Sequence, residues 1–400
     1  MISRAWSLVR LGDFCSKIGS GSTPRGGEAV YQEGGVSFIR SQNVYNGSFA
    51  LEGLAHLDEE HADQLKGVTV ESADVLLNIT GDSVARSCRV PDEVLPARVS
   101  QHVAIIRLRS DEFDSRFVGY FLISPFMQDT MLSLAGSGGT RKALTKEMIE
   151  RFEVPHPPRS IQQRVADILS AYDDLIENNR RRMALLEDAA RQLYREWFVR
   201  LRFPGYEHAR IVNGVPEGWE RKTLSELARI TMGQSPESRF YNRDGQGLPF
   251  HQGVADFAER FVTHRVYSTA LNRVAEARDI LCSVRAPVGR LNVTPDKIVI
   301  GRGLAAVRSK TGEQSLLFQQ LCNHFFKEDL IGTGAIFASV TQTEFGNQQL
   351  LDPPQTLRRA FEDVVVPCDE QLRALHLQNQ KLHAARDLLL PRLMNGEIAV

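Results

Sequence analysis

Two glycine-rich stretches are the first places where this sequence could hold a phosphate. One is Gly136-Ser137-Gly138-Gly139-Thr140-Arg141-Lys142. A P-loop cradle needs Gly-Lys-[Ser/Thr] at its end, and here Thr140 and Arg141 separate the last glycine from the lysine. The other, Gly19-Ser20-Gly21-Ser22-Thr23-Pro24, lacks the third glycine of a dinucleotide fingerprint. No His-Glu-x-x-His pair is present to hold zinc. The five cysteines (Cys15, Cys88, Cys282, Cys322 and Cys368) are widely scattered and form no Cys-x-x-Cys. That argues against a disulfide framework and a cysteine metal site, and it fits a reducing, cytoplasmic setting. Ten histidines and many serines would allow a nucleophilic set by accident, but nothing concentrates them.

Two motifs come closer to chemistry on nucleic acid. Enzymes that methylate base amino groups carry [Asp/Asn]-Pro-Pro-[aromatic], with the aromatic ring stacked on a flipped base. Asp352-Pro353-Pro354 is followed by Gln355, which cannot stack in that way. Its counterpart is His156-Pro157-Pro158-Arg159, and both read as helix entrances. Pro91-Asp92 and Pro295-Asp296 begin like a nuclease metal motif, but Lys142 and Lys146 after the first, and Lys310 and Lys327 after the second, each have a non-acidic residue two before. The expectation is therefore a chain with no catalytic residue, no metal site and no cofactor of its own.

The elements around these motifs occur twice. An offset of 196 carries Pro157-Pro158 onto Pro353-Pro354, Gly136-Ser137-Gly138 onto Gly332-Thr333-Gly334, and Leu144-Thr145 onto Val340-Thr341. Upstream, Asp74-Val75-Leu76-Leu77 answers Asp279-Ile280-Leu281-Cys282 at an offset of 205, so loop lengths differ. Several collinear matches near half the length of a 400-residue chain indicate a tandem duplication. Each copy starts with short β-like runs: 36–39, 75–79 and 103–108 in the first, 280–284 and 304–307 in the second. A helix-like stretch follows in each, at 117–132 and 315–330. Each copy then closes with a long helix. The chain is 42% hydrophobic and 24% charged, enough to build cores, and its net charge of -1 excludes a polycation. No apolar run is long enough to span a membrane.

The first long helix is expected over 161–199, capped by Ser160 with Gln163 and ended by Pro204-Gly205. Its stripe runs through Ile161, Val165, Ile168, Tyr172, Leu175, Met183, Leu186, Ala190, Leu193 and Trp197. The second is expected to be capped by Thr356 and to break near Pro367. It then resumes as a heptad seam of Leu372, Leu375, Asn379, Leu382, Arg386, Leu389 and Leu393. The two stripes are expected to bury each other. Asn179 and Asn379 interrupt them, either as buried register-fixing amides or as solvated residues. Arg180-Arg181-Arg182 cannot all face one side of a helix and reads as solvated.

The segment IQQRVADILSAYDDLIENNRRRMALLEDAARQLYREWFVRLRFPG (161–205) resembles the central conserved region of type I restriction–modification specificity (S) subunits. Val215-Pro216-Glu217-Gly218-Trp219, the closing 385–398, and the stretches 74–84 and 283–289 are similar to the same family. The resemblance covers the whole chain. It implies an α+β protein with two tandem target-recognition domains, 1–155 and 206–352. Two long helices would separate them, 156–205 and 353–400, packed as an antiparallel coiled coil with an internal pseudo-two-fold duplication. The implied function is non-catalytic. Each domain would read one half of a split target in double-stranded DNA, and the helices would set the gap. Two methyltransferase (M) subunits and restriction (R) subunits would be partners, carrying S-adenosylmethionine, ATP and Mg. A solitary DNA-binding or inhibitory module, or a methyltransferase with diverged motifs, are the alternatives.

Base readout needs Arg, Lys, Asn or Gln on loops that reach groove edges. The candidates in the first copy are Arg40, Gln42 and Asn43 after a strand, Arg86, and Arg141 with Lys142. In the second they are His251, Gln252, Arg285, Arg290 and Thr333. Ser20 to Thr23 and Gly233-Gln234-Ser235 read as turns or phosphate contacts.

Overall fold

The computed structural model describes residues 6–109, 111–136, 142–212, 214–327 and 339–400. It divides into two compact units: Met1–Glu177 with Gln380–Val400, and Asn178–Asn379.

In the first unit, the buried run Val75–Asn78 shows how the sequence builds the core. Successive side chains of a strand point to opposite faces. Val75 and Leu77 therefore join a core with Ile106, Phe117, Phe121 and Met131, while Leu76 joins a second core with Ile39, Val99 and Ile105. One sheet, in the order Cys15–Ser20, Val103–Leu108, Val75–Asn78, Ser87–Arg89, is thus covered on both faces. Helices Ser115–Ile123 and Pro125–Gly136 line one side. The expected single helix of 117–132 is two, parted at Ser124 where proline follows. A second sheet, Ala55–Leu57, Val36–Ile39, Ala97–Val99, Thr69–Val70, contains a parallel pair, Val36–Ile39 with Ala97–Val99.

The second unit repeats the plan. Its sheet Ala228–Met232, Leu304–Ser309, Ile280–Ser283, Leu291–Val293 sends Ile280 and Cys282 to one core and Leu281 to another. Leu248–His251 and Ile298–Ile300 form the matching parallel pair. Helix Gln314–Lys327 stands where a helix was expected. The repeated aspartates are structural anchors. Asp74 is buried and accepts from the Glu71 amide and from Arg107 Nε and Nη2, each of the latter at 2.8 Å. Asp279 accepts from the Glu276 amide and from Arg308 Nε in the same way.

The first long helix is Arg159–Tyr194, followed by a π-helical turn, Arg195–Val199. The second is Gln355–Met394. Ser160 and Thr356 do not cap them. The carbonyl of Pro158 accepts the amides of Ile161 and Gln162, and that of Pro354 accepts those of Leu357 and Arg358. Each helix therefore starts directly after its second proline. The expected break at Pro367 does not occur, and the helix runs continuously through it. An interior proline costs about 3 kcal/mol. Buried Phe361, Val365, Leu372 and Leu375 flank it on both sides, each contributing about 1.5–3 kcal/mol.

Within each unit the two helices pair antiparallel. In the first, Val165 and Leu169 share a core with Leu390, Leu393 and Met394, and Arg386 Nη1 donates to Asp173 at 2.5 Å. In the second, Met183 packs with Leu372 and Leu375, and Tyr194 and Phe198 pack with Phe361. Asn179 and Asn379 are both buried, and Asn179 Nδ2 donates to Asn379 Oδ1 at 2.8 Å. Of their two readings the buried one holds. Arg180, Arg181 and Arg182 are exposed. Leu175, placed on the stripe by spacing, is 39% exposed, and Ile176 is buried in its stead. Among the described residues, no helix is long and apolar enough to cross a membrane.

Candidate nucleic-acid interface

In the first unit, backbone hydrogen bonds gather several loops at one end of the sheets. The Ser100 amide donates to Ile39 O at 2.9 Å, and the Ile79 amide to His102 O at 3.0 Å. Gly81 N donates to Lys142 O, and Leu144 N to Ile79 O. Asn78 Nδ2 donates to Ser41 O at 2.8 Å. The residues after strands Val36–Ile39 and Val75–Asn78, the turn 100–102 and the stretch 142–144 therefore form one edge. Gln42, Gln101, His102 and Lys142 are exposed on it. Arg86 is half-buried and lies 4.8 Å from the ring centre of Tyr45. Gly21 passes so close to this edge that a Cβ would sit 2.0 Å from Val99 O, so the Ser20 to Thr23 stretch is a close backbone crossing.

The second unit builds the same edge with the same bonds. Gly301 N donates to His251 O at 2.8 Å, Val284 N to Gly303 O at 2.9 Å, and Val340 N to Val284 O at 2.9 Å. Gly233 repeats the crossing of Gly21, 2.1 Å from Gly301 O to a Cβ placed on it. Gln252, Arg285, Arg290 and Arg302 are exposed. The Ser235 hydroxyl accepts from the Arg302 amide at 3.2 Å.

Two of the sequence candidates face inward. Asn43 is fully buried, accepts from the Arg40 amide at 3.0 Å and donates to Ala50 O at 2.9 Å. It closes a turn and has no face for a base. His251 is also fully buried, with Nε2 2.9 Å from His264 Nδ1 and Nδ1 3.3 Å from Asp256. Burial, and then the neighbouring His264, push its pKa down to about 4 against the pull of Asp256. It is neutral at physiological pH and engaged at both nitrogens. Arg40 is largely committed: Nη2 donates to Gly53 O at 2.8 Å and Nη1 lies 3.4 Å from Glu28. Gln42 also donates to Gly53 O but remains exposed. Arg141 and Thr333 lie outside the described residues. Gln101, His102 and Arg302 were missed. The sequence signal was available in Gly301-Arg302-Gly303, an arginine held between two glycines.

The edge carries donors and acceptors suited to groove edges and phosphates. Burial pushes the thiols of Cys15, Cys88 and Cys322 up to about 12, so they stay protonated and are not nucleophiles. Among the described residues, no group of three His, Cys, Asp or Glu side chains could hold a metal ion.

Residues 3–188 match the family model of the type I restriction modification DNA specificity domain. Over its full length the chain is 24% identical to a putative type I restriction enzyme MjaX specificity subunit of Methanocaldococcus jannaschii, covering 95% of that protein. Over 91% of its length it is 23% identical to the type I restriction enzyme HindI specificity subunit of Haemophilus influenzae, covering 94% of it. A solved type I restriction–modification S subunit from M. genitalium shares the fold with a TM-score of 0.61 at 15% identity. That match covers 98% of this chain and 97% of the other.

Proposed function

Because the chain belongs to the family of type I restriction–modification specificity subunits, we propose that each of its two units reads one half of a bipartite DNA target. The chain is the non-catalytic recognition subunit, and methylation and cleavage belong to other subunits of the complex. One observation carries the two-part reading. The same strand-end edge is built twice by corresponding hydrogen bonds, yet it presents different side chains: Gln42, Arg86, Gln101 and Lys142 in one copy, and Gln252, Arg285, Arg290 and Arg302 in the other. A duplicated frame with unlike side chains suits two unlike half-sites. The reading segments are 1–155 and 206–352. The helical segments 156–205 and 353–400 set the unread gap and seat two methyltransferase subunits, with restriction subunits joining them. Those partners bind S-adenosylmethionine, ATP and Mg, and the complex works in the cytosol.

The test is a swap of residues 1–155 for the equivalent segment of another family member. N6-methyladenine is then mapped by single-molecule sequencing in a host that also expresses the methyltransferase subunits. The expected result is a new sequence in one half of the methylated motif, with the other half and the gap retained. A change in both halves would overturn the assignment of one unit to one half-site.

A further inference from the structure

We infer that Gln101 and Arg302 are equivalent specificity-determining side chains, Gln101 contacting an adenine in one half-site and Arg302 a guanine in the other. This rests on the two-half-site reading and sharpens it to single residues. Each side chain occupies the same place in its unit. Ser100 O accepts from Val103 N at 3.0 Å, and Gly301 O accepts from Leu304 N at 3.0 Å. Two four-residue turns result, with Gln101 and Arg302 at the second position of each. Both turns join the parallel-pair strand of one sheet to the central strand of the other: Ala97–Val99 to Val103–Leu108, and Ile298–Ile300 to Leu304–Ser309.

Neighbouring strands fix each turn from both sides. Ser100 N bonds to Ile39 O and His102 O accepts from Ile79 N. Gly301 N bonds to His251 O and Gly303 O accepts from Val284 N. His102 Nδ1 also sits 2.7 Å from Thr80 Oγ1, and the Arg302 amide is bonded to Ser235. A backbone pinned at this many points presents one long side chain in one place, which sequence readout requires. Both side chains are exposed, and among the described residues no acid pairs with Arg302. Gln101 Nε2 approaches His102 Nε2 at 3.4 Å.

The chemistry then assigns the bases. A glutamine amide matches the N6 donor and N7 acceptor of adenine, whereas an arginine fork matches O6 and N7 of guanine. Arg86 and Lys142 in one unit, and Arg285 and Arg290 in the other, flank these turns as cations for phosphates.

The test maps methylated motifs for the full chain and for Gln101→Arg and Arg302→Gln, each expressed with the methyltransferase subunits. The wild-type chain is expected to discriminate about 5- to 150-fold at each contacted base. Gln101→Arg is expected to move one position other than the methylated base from adenine to guanine, in the half-site that the 1–155 swap changes. Arg302→Gln is expected to move guanine to adenine in the other. The untouched half-site reports on folding. If a swap abolishes methylation, Gln101→Ala and Arg302→Ala, checked for unchanged melting temperatures, decide between relaxed and retained preference. A motif unchanged by these variants would overturn the inference and leave the two-half-site reading standing. A wild-type chain with no split motif would remove that reading itself.

Discussion

Replacing Asn179 by leucine should destabilise the protein, and replacing Asn379 as well should restore it. The two amides are 1% and 8% exposed and meet at 2.8 Å. Removing one partner from a buried bond costs about 1–3 kcal/mol, whereas replacing both by apolar groups is nearly neutral. The unit that holds them, Asn178–Asn379, has 379 − 178 + 1 = 202 residues. For domains of that size, 1 kcal/mol shifts the melting temperature by about 2–4 °C. Each single variant should therefore lower the transition of this unit by about 2–12 °C. The double variant should return to within about 4 °C of wild type. Scanning calorimetry of the full chain reads all four species as a double-mutant cycle. The diagnostic is the sign of the coupling, because the second substitution repairs the first. Simple addition of the two losses, or single variants that melt like wild type, would refute the buried pair.

Two other outcomes follow from local geometry. Gly21→Ala and Gly233→Ala place a methyl 2.0 and 2.1 Å from backbone oxygens that cannot rotate away, so each should cost at least about 1–3 kcal/mol in urea unfolding; unchanged midpoints would contradict the close crossing. Burial raises the Glu362 carboxyl to about 7, against the opposing hydrogen bond from the Leu316 amide. An acid raised by folding contributes stability that is fully present below its ordinary value near 4.5 and is lost as pH rises through about 7. Glu362→Gln should flatten that slope, and an equal slope in wild type and variant between pH 5 and 8 would exclude Glu362 as its source.

The sequence made the duplication legible because Pro-Pro, Asp-hydrophobic and apolar-Thr matches recur in the same order at offsets of 196 and 205, and the structure uses each in a corresponding place. Thr145 and Thr341, for instance, cap short helices in their two units. Strands Val36–Ile39 and Val103–Leu108 stand where apolar runs placed them. The helix starts were misread because a polar side chain near a start looks like a cap, while here the proline carbonyl does that work. Pro367 misled because local propensity carries no information about the apolar contacts on either side of it. At the interface, residue type could not distinguish inward from outward. Asn43 and His251 have the polarity of base readers, but burial and hydrogen bonds consume it. Arg302 follows strand Ile298–Ile300, a run outside the strands expected from sequence, and its equivalence to Gln101 becomes visible when Gly301 and Gly303 are seen bonded to two other strands.

The first unit is finished by a segment that the ribosome makes after the whole of the second. Its core takes in Leu390, Leu393 and Met394 against Val165 and Leu169, so residues 1–177 emerge without their closing segment. The 223 residues from 178 to 400 take about 10–45 s to synthesise at 5–20 residues per second. The segment Asn178–Asn379 is by contrast continuous and has all its partners to hand before residue 380 appears. The usual order of co-translational folding, first made and first finished, is therefore reversed in this chain. During that interval Val165 and Leu169 are the apolar surface a nascent-chain chaperone would meet.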